Sequence, residues 1–203
     1  MDQKEQWNAR YAGEDLLFGE QPNAFLATQA ALLRPGMKAL AVADGEGRNG
    51  VWLAQQGLDV VSIDISEVAQ AKAARLARLR SVSLDLRLAD VANWEWPAEA
   101  FDLVAAIFIQ FADPTQREKI FAGIRRTLKP GGLLLLEGYR PEQIAYGTGG
   151  PPTVENLYTA PMLRAAFDGF EVLSLEEYDA EVQEGSGHSG MSALIDLVAR
   201  KPL

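Results

Sequence analysis

The period of apolar positions changes several times along the chain, and each change marks an element. Over residues 3–11, Trp7 and Tyr11 fall four apart on one face, which predicts a helix closed by Ala12-Gly13. Pro22 suits a first helical position, and Phe25, Leu26, Ala30 and Leu33 carry an apolar stripe until Arg34-Pro35-Gly36 stops it. The period then shortens. Residues 37–43 are a short apolar run that predicts a buried strand, 48–56 a helix ended by Gly57, and 58–64 a second, β-branched strand. Ser66 is a good N-cap for an Ala/Arg-rich helix running to Leu79. Residues 83–89 alternate like a strand, and 101–109 read as a buried one. A helix is expected over 114–128, with Ile120, Phe121, Ile124 and Leu128 on one face. A strand over 133–137 follows the turn Lys129-Pro130-Gly131-Gly132.

This alternation predicts an α/β fold, a doubly wound and mostly parallel sheet covered on both faces. After Tyr139 the texture changes. Residues 140–153 are rich in Gly and Pro and are expected to form a loop or lid, and 159–167 a short helix. Residues 170–178 and 192–200 read as strands joined through 184–190. So short a connection without a helix makes them a C-terminal antiparallel strand pair. One structural domain is expected, with residues 37–203 as the core and 1–36 as a helical segment ahead of it.

Composition narrows the chemistry. The 203 residues hold 19 Lys+Arg against 28 Asp+Glu, a net charge of −9, with one His and no Cys. An acidic chain without a basic run would repel a phosphate backbone, so nucleic acid is not the expected partner. The missing thiols exclude disulfides, zinc-thiolate sites and a Cys nucleophile, and a single His excludes two-His metal motifs. No metal is expected. The longest apolar run, 103–109, is too short to span a membrane, and Met1-Asp2-Gln3-Lys4-Glu5 has no export pattern. A cytoplasmic protein, monomer or homodimer, is the expectation.

Gly45-Glu46-Gly47-Arg48-Asn49-Gly50 fits G-x-G-x-x-G between a predicted strand and a predicted helix, and Asp64 ends the next strand. Glycines there allow a sharp turn and a close ligand approach, and the carboxylate can accept from two ribose hydroxyls. The pattern points to an adenosine-type ligand. It leaves a nicotinamide-dependent oxidoreductase, a methyltransferase and a non-catalytic binding protein as candidates. About 40 residues precede the glycine strand, whereas dinucleotide folds commonly begin with it. None of the five Tyr has a Lys four residues later. Methyl transfer from a sulfonium is an in-line displacement that positioning can largely accelerate, and it suits a chain poor in catalytic groups.

In their order, these motifs resemble a class I S-adenosylmethionine-dependent methyltransferase. Gly45-Glu46-Gly47-Arg48-Asn49 resembles its glycine motif, Asp64-Ile65-Ser66 its ribose-binding strand end and Ala89-Asp90-Val91 its adenine segment. Leu128-Lys129-Pro130-Gly131-Gly132 resembles the turn before its fifth strand. Trp7-Asn8-Ala9-Arg10-Tyr11 and Phe18-Gly19-Glu20-Gln21-Pro22-Asn23 are similar to the tellurite-resistance and thiopurine-type branch. The resemblance implies a Rossmann-like methyltransferase fold whose residues 1–36 cap the cofactor site. It implies S-adenosylmethionine as cofactor, S-adenosylhomocysteine as product and a small-molecule acceptor. The implied cofactor-binding residues are Phe18, Gly45, Glu46, Gly47, Arg48, Asn49, Asp64, Ile65, Asp90, Val91, Ile107 and Gln110, with 107–110 beside the reacting methyl. Ala41 and Ala43 stand where the family usually has an acidic residue and a Gly, and Gln110 where the branch often has His.

His188 is the one available imidazole, in a polar, glycine-rich stretch, and is a candidate base. Tyr139, Arg140 and Tyr146 are further candidates because they follow the fifth strand, at the edge where open α/β sheets bind ligands. Trp94 and Trp96 read as core.

Overall fold

The computed structural model describes residues 2–203. Helix α1 (Gln3–Arg10) starts in a capping box. The Asp2 carboxylate accepts from Glu5 N at 2.8 Å, and Glu5 Oε2 accepts from Asp2 N at 3.1 Å. Helix α2 (Ala24–Thr28) is followed by a 3-10 turn, Ala30–Leu32. Pro22 lies outside α2, contrary to the sequence expectation. Asn23 Oδ1 accepts from Leu26 N at 2.9 Å and so caps the helix one residue later. Then come β1 (Lys38–Val42), α3 (Arg48–Gln55), β2 (Asp59–Asp64), α4 (Glu67–Leu79), β3 (Asp85–Leu88), β4 (Phe101–Ile107), α5 (Pro114–Thr127) and β5 (Leu128–Tyr139). Ser66 caps α4 as expected, accepting from Ala69 N at 3.1 Å. The chain closes with α6 (Gln143–Tyr146), α7 (Ala160–Ala166), β6 (Glu171–Glu184) and β7 (His188–Arg200).

The strands form one seven-stranded sheet in the order β3-β2-β1-β4-β5-β7-β6. The first five are parallel, and β7 runs antiparallel between β5 and β6. Both faces are apolar, as a sheet covered by helices on each side requires. Leu40, Val42, Val104, Leu134 and Leu136 point to one side, where Ile120, Phe121 and Ile124 of α5 pack. Ala39, Ala41, Leu103, Ala105 and Leu135 point to the other, under Leu53 of α3 and Leu26 of α2. Trp96 is core as expected, its Nε1 donating to Val91 O at 3.2 Å.

Two stretches depart from the sequence reading. The final hairpin is much longer than expected, because β6 continues past Tyr178 to Glu184 and β7 begins at His188, leaving Gly185-Ser186-Gly187 as the turn. Residues 140–153 contain α6 and are fastened to β7. Gln143 Oε1 accepts from Ala193 N at 2.8 Å, and Gln143 Nε2 donates to Thr148 Oγ1 at 3.0 Å. Among the described residues, no helix is long and apolar enough to cross a membrane.

Candidate functional site

A cavity of about 250 Å³ opens at the carboxyl edge of the parallel strands, the edge at which open α/β sheets bind ligands. Every parallel strand delivers residues to it from its C-terminal end. Ala43, Asp44 and Gly45 come from β1, Asp64 and Ile65 from β2, and Asp90 and Val91 from β3. Ile107, Phe108, Gln110 and Phe111 follow β4, and Tyr139 ends β5.

The glycine loop is held by two carboxylates. Asp64 accepts from Gly45 N and from Ser66 N, each at 2.8 Å. Asp44 accepts from Gly50 N at 3.1 Å and from Ser62 Oγ at 2.9 Å. Burial pushes Asp44 up to about 7, against those two hydrogen bonds, and burial also raises Asp64. Ala43, standing where the resemblance expects Gly, takes φ +49°, and Gly45 takes +58°. Gly47 at φ +86° brings the start of α3 against α4, where a Cβ would stand 2.6 Å from Ala73 Cβ. Gly47 thus serves helix packing and does not line the cavity. Glu46 does not line it either, contrary to the expectation. Its carboxylate pairs with Lys72 Nζ at 2.7 Å and accepts from Leu17 N at 2.7 Å, so it fastens the 15–18 segment to α4.

The wall opposite the sheet comes from both ends of the chain. Trp7 stacks on Tyr11 with ring centres 5.4 Å apart, and the Arg10 guanidinium lies 5.0 Å over Trp7 and 5.7 Å over Phe18. The tip of the β6–β7 hairpin meets this segment, with Gly187 N donating to Leu17 O at 2.9 Å. A Cβ on Gly185 or Gly187 would collide with Leu17 and Phe18, so the approach requires glycine at both positions. His188 is therefore a buried residue opening β7 and not part of a solvated turn. It packs against Phe18 at 4.5 Å, Phe108 at 4.4 Å and Tyr139 at 5.8 Å between ring centres. Burial holds its imidazole below the ordinary value.

Beside it, Arg48 Nη2 meets Glu184 Oε2 at 2.5 Å in a buried ion pair. Glu184 also accepts from Ala24 N at 2.9 Å and Asn23 Nδ2 at 3.1 Å. It is a buried carboxylate, yet hydrogen bonding and the Arg48 charge hold it down to about 2. Arg48 lines the cavity with its charge already paired, and Asn49 Oδ1 is used by Asn23 N at 2.9 Å. Gln110 brackets the end of β5, accepting from Tyr139 N at 2.6 Å and donating to Tyr139 O at 2.9 Å. Asp90 accepts from Ala92 N at 2.9 Å and from Asn93 Nδ2 at 2.6 Å, and still lines the cavity.

Arg140 and Tyr146 are not at the cavity. Arg140 donates to Leu194 O at 3.0 Å and to the Asp179 carboxylate, and Tyr146 Oη donates to Asp179 at 3.0 Å. Both were drawn to the antiparallel strands by a carboxylate on β6. Further inside, Glu137 and Asp196 face each other across β5 and β7. Burial, followed by the neighbouring carboxylates, raises Glu137 well above the usual range, and burial pushes Asp196 up to about 7.

Residues 39–132 match a family described as a methyltransferase domain. That stretch, from β1 into the start of β5, is similar to a methyltransferase domain. A curated relative, the uncharacterized methyltransferase sll0829 of Synechocystis, is 30% identical over 129 residues, which cover 61% of this chain and 57% of the relative. Glycine N-methyltransferase of Rattus norvegicus is 28% identical over 136 residues, 60% of this chain and 46% of its own. The chain thus spans about half the length of the curated relatives it matches. Among solved structures, N-methyltransferase NodS from Bradyrhizobium japonicum WM9, in complex with S-adenosylhomocysteine, aligns with TM-score 0.74 at 16% identity and covers 98% of both chains. The likeness in fold extends over the whole sheet, β6 and β7 included.

The fold also places groups in the cavity that the motifs did not single out. Arg10, Asp44, Phe111 and the Pro151-Pro152 pair line it. A signal existed for Arg10, which lies three residues after Trp7 and so shares its helix face. None existed for Phe111 or for Pro151-Pro152, which loop paths bring there.

Proposed function

We propose that this protein transfers a methyl group from S-adenosylmethionine to a small-molecule acceptor in the cytoplasm. The observation that carries the reading is the convergence of the Gly45 loop and Asp64 on a cavity with an aromatic wall. Gly45 keeps the loop free of a Cβ that would stand 2.8 Å from Tyr11 Oη, and the Asp64 carboxylate faces the same space, suiting ribose hydroxyls. Asp90 and Val91, which line the cavity after β3, would take the adenine ring. Trp7, Tyr11 and Phe18 make the wall aromatic, with the Arg10 guanidinium over the Trp7 and Phe18 rings. When bound, the cofactor supplies an electrophilic methyl group. The chain's own work is to orient the partners and exclude water. The methyltransferase relatives support the reading, and the net charge of −9 favours a small acceptor over nucleic acid.

Titration calorimetry with S-adenosylhomocysteine is the direct test, with binding near −8 kcal/mol, or about micromolar, expected. Asp64→Ala should weaken it by about 1–3 kcal/mol. Absence of heat and of a thermal shift, or tight binding of NADH in its place, refutes the reading.

A further inference from the structure

Glu137 of β5 and Asp196 of β7 stand directly opposite each other in the antiparallel register, and both are buried. Their carboxyls are in hydrogen-bond contact. Two carboxylates offer only acceptors, so that contact requires a proton on one of them. Tyr178 Oη donates to Asp196 Oδ2 at 2.8 Å, and Asp196 Oδ1 receives no other donor among the described residues. The Asn23 amide couples this pair to a third carboxylate. Its Nδ2 donates both to Glu137 Oε2 and to Glu184 Oε1, so the two acids meet one nitrogen from different strands. The charged and titratable groups facing the three acids are Arg48 from α3, His188 from β7, Tyr139 from β5, and Tyr178 and Glu176 from β6. Arg10 from α1 faces His188 and Tyr139. Arg48 touches the acids only through Glu184, so the Glu137–Asp196 pair has no cation of its own.

The last β5–β7 pair is Tyr139 with Leu194, and Ala193 is held on both sides by Arg140 N and Gln143 Oε1. Past that point residues 180–192 run on as a two-stranded arm. The arm is fastened across the cavity by Glu184, on Asn23, Ala24 N and Arg48, and by Gly187 N on Leu17 O. We propose that the proton shared by Glu137 and Asp196 is the catch of this arm: while it is held the hairpin tip stays down on residues 17–18, and when it leaves the tip lifts and the cavity opens. Loss of the proton puts a second negative charge on the pair and sets Glu137 against Glu184 across the Asn23 amide. Strand β5 lies inside the sheet and cannot yield, whereas the arm lies past its edge and can. Lifting carries Glu184 away and lets water reach all three acids. The sign follows from burial. The closed pair keeps its proton to high pH, Asp196 being pushed up to about 7 and Glu137 raised well above its usual range. Once hydrated, carboxyls hold a proton only below about 4–4.5. Between those limits the open-to-closed ratio grows up to about 10-fold per pH unit, and above them it levels off. Protonation of His188, whose imidazole burial keeps low, acts in the opposite sense and loosens the tip as pH falls. The catch works whatever the cavity binds.

The Gly187 amide reports the catch, because its hydrogen bond to Leu17 O exists only with the tip down. The measurement is the hydrogen-exchange protection of Gly187 in the ligand-free protein, corrected for the intrinsic pH dependence of exchange, beside that of Leu40 in β1. Between about pH 5.5 and 7.5 the protection of Gly187 should fall about 10-fold or more, and it should stay below that of Leu40 throughout. Glu137→Gln replaces the shared proton with an amide that donates to Asp196 and still accepts from Asn23, so it should abolish the fall. Asp196→Asn also leaves a single carboxyl in the pair and should do the same, which preserves the test if the first variant fails to fold. A smaller fall in the wild type, or a wild-type slope kept in a folded variant, overturns the proposal. Equal protection of Gly187 and Leu40 at every pH overturns it too, since the arm would then leave only when the whole chain unfolds.

Discussion

Replacing Gly47 by Ala perturbs the glycine loop in two ways whose sizes follow from the structure. At φ +86° an L-residue is strained, which costs about 1–2 kcal/mol. The new methyl would also stand 2.6 Å from Ala73 Cβ and 3.0 Å from Ala73 Cα. Because α4 is packed there and cannot yield cheaply, overpacking adds about 1–3 kcal/mol. Gly47→Ala should therefore destabilise by about 2–5 kcal/mol, lowering the thermal midpoint by about 4–20 °C. Gly36 supplies the control. It has the same φ of +86° but nothing within 4 Å of an added Cβ. Gly36→Ala should cost about 1–2 kcal/mol, the strain alone. Urea unfolding of both variants at equal m-value isolates the packing contribution as their difference, about 1–3 kcal/mol. Equal losses would refute the claim that Gly47 is required by the approach of α3 to α4. They would leave only its backbone conformation as the reason for glycine.

Other outcomes follow from the buried charges. Asp44 and Asp196, each pushed up to about 7, and Glu137, raised well above its usual range, take up protons on folding at pH values between their unfolded and folded pKa. Stability should therefore rise as pH falls from 7.5 to 5, by at least about 1–2 kcal/mol in denaturant titrations; a fall would contradict the burial of these carboxyls. Glu184 has the opposite sign. Its contribution is full above about 4.5 and is lost as pH falls toward about 2, so the maximum should lie near pH 4–5. Glu184→Ala leaves Arg48 buried without its partner and should cost about 3–5 kcal/mol; a loss under about 1 kcal/mol would mean the pair behaves as a solvated one.

The inner sheet was legible because each of its strands is a short apolar run bounded by glycine or a helix cap, a local signal. The hairpin was not. Strand β6 carries Glu171, Glu176, Glu177, Asp179, Glu181 and Glu184 and lies at the sheet edge, so half of it is polar and its length is set by pairing with β7, far from local composition. Hence His188 reads as part of a surface turn and is buried. Of the motif residues, Gly45, Arg48, Asn49, Asp64 and Asp90 line one cavity, and Glu46 and Gly47 do not. Side-chain direction was the illegible part. Glu46 turns to Lys72 and Arg140 to Asp179, and neither partner is near in sequence. An ion pair across such distances leaves no periodic trace.

The docking of the hairpin tip on Leu17 and Phe18 also bears on when the site comes into being. Contacts between the two ends of the chain close a very large loop, and such contacts are won late in folding. The pairings of β1 with β2 and of β4 with β5 span far less chain. A molecule that has completed its central strands still holds an open trough, with Asp64 and Gly45 on its floor. It gains a roof only when residues 185–188 reach residues 17–18. A ligand bound beneath that roof acts as a clasp on the last contacts to form, so it should slow amide exchange at Gly187 before it measurably changes exchange in β1 or β4.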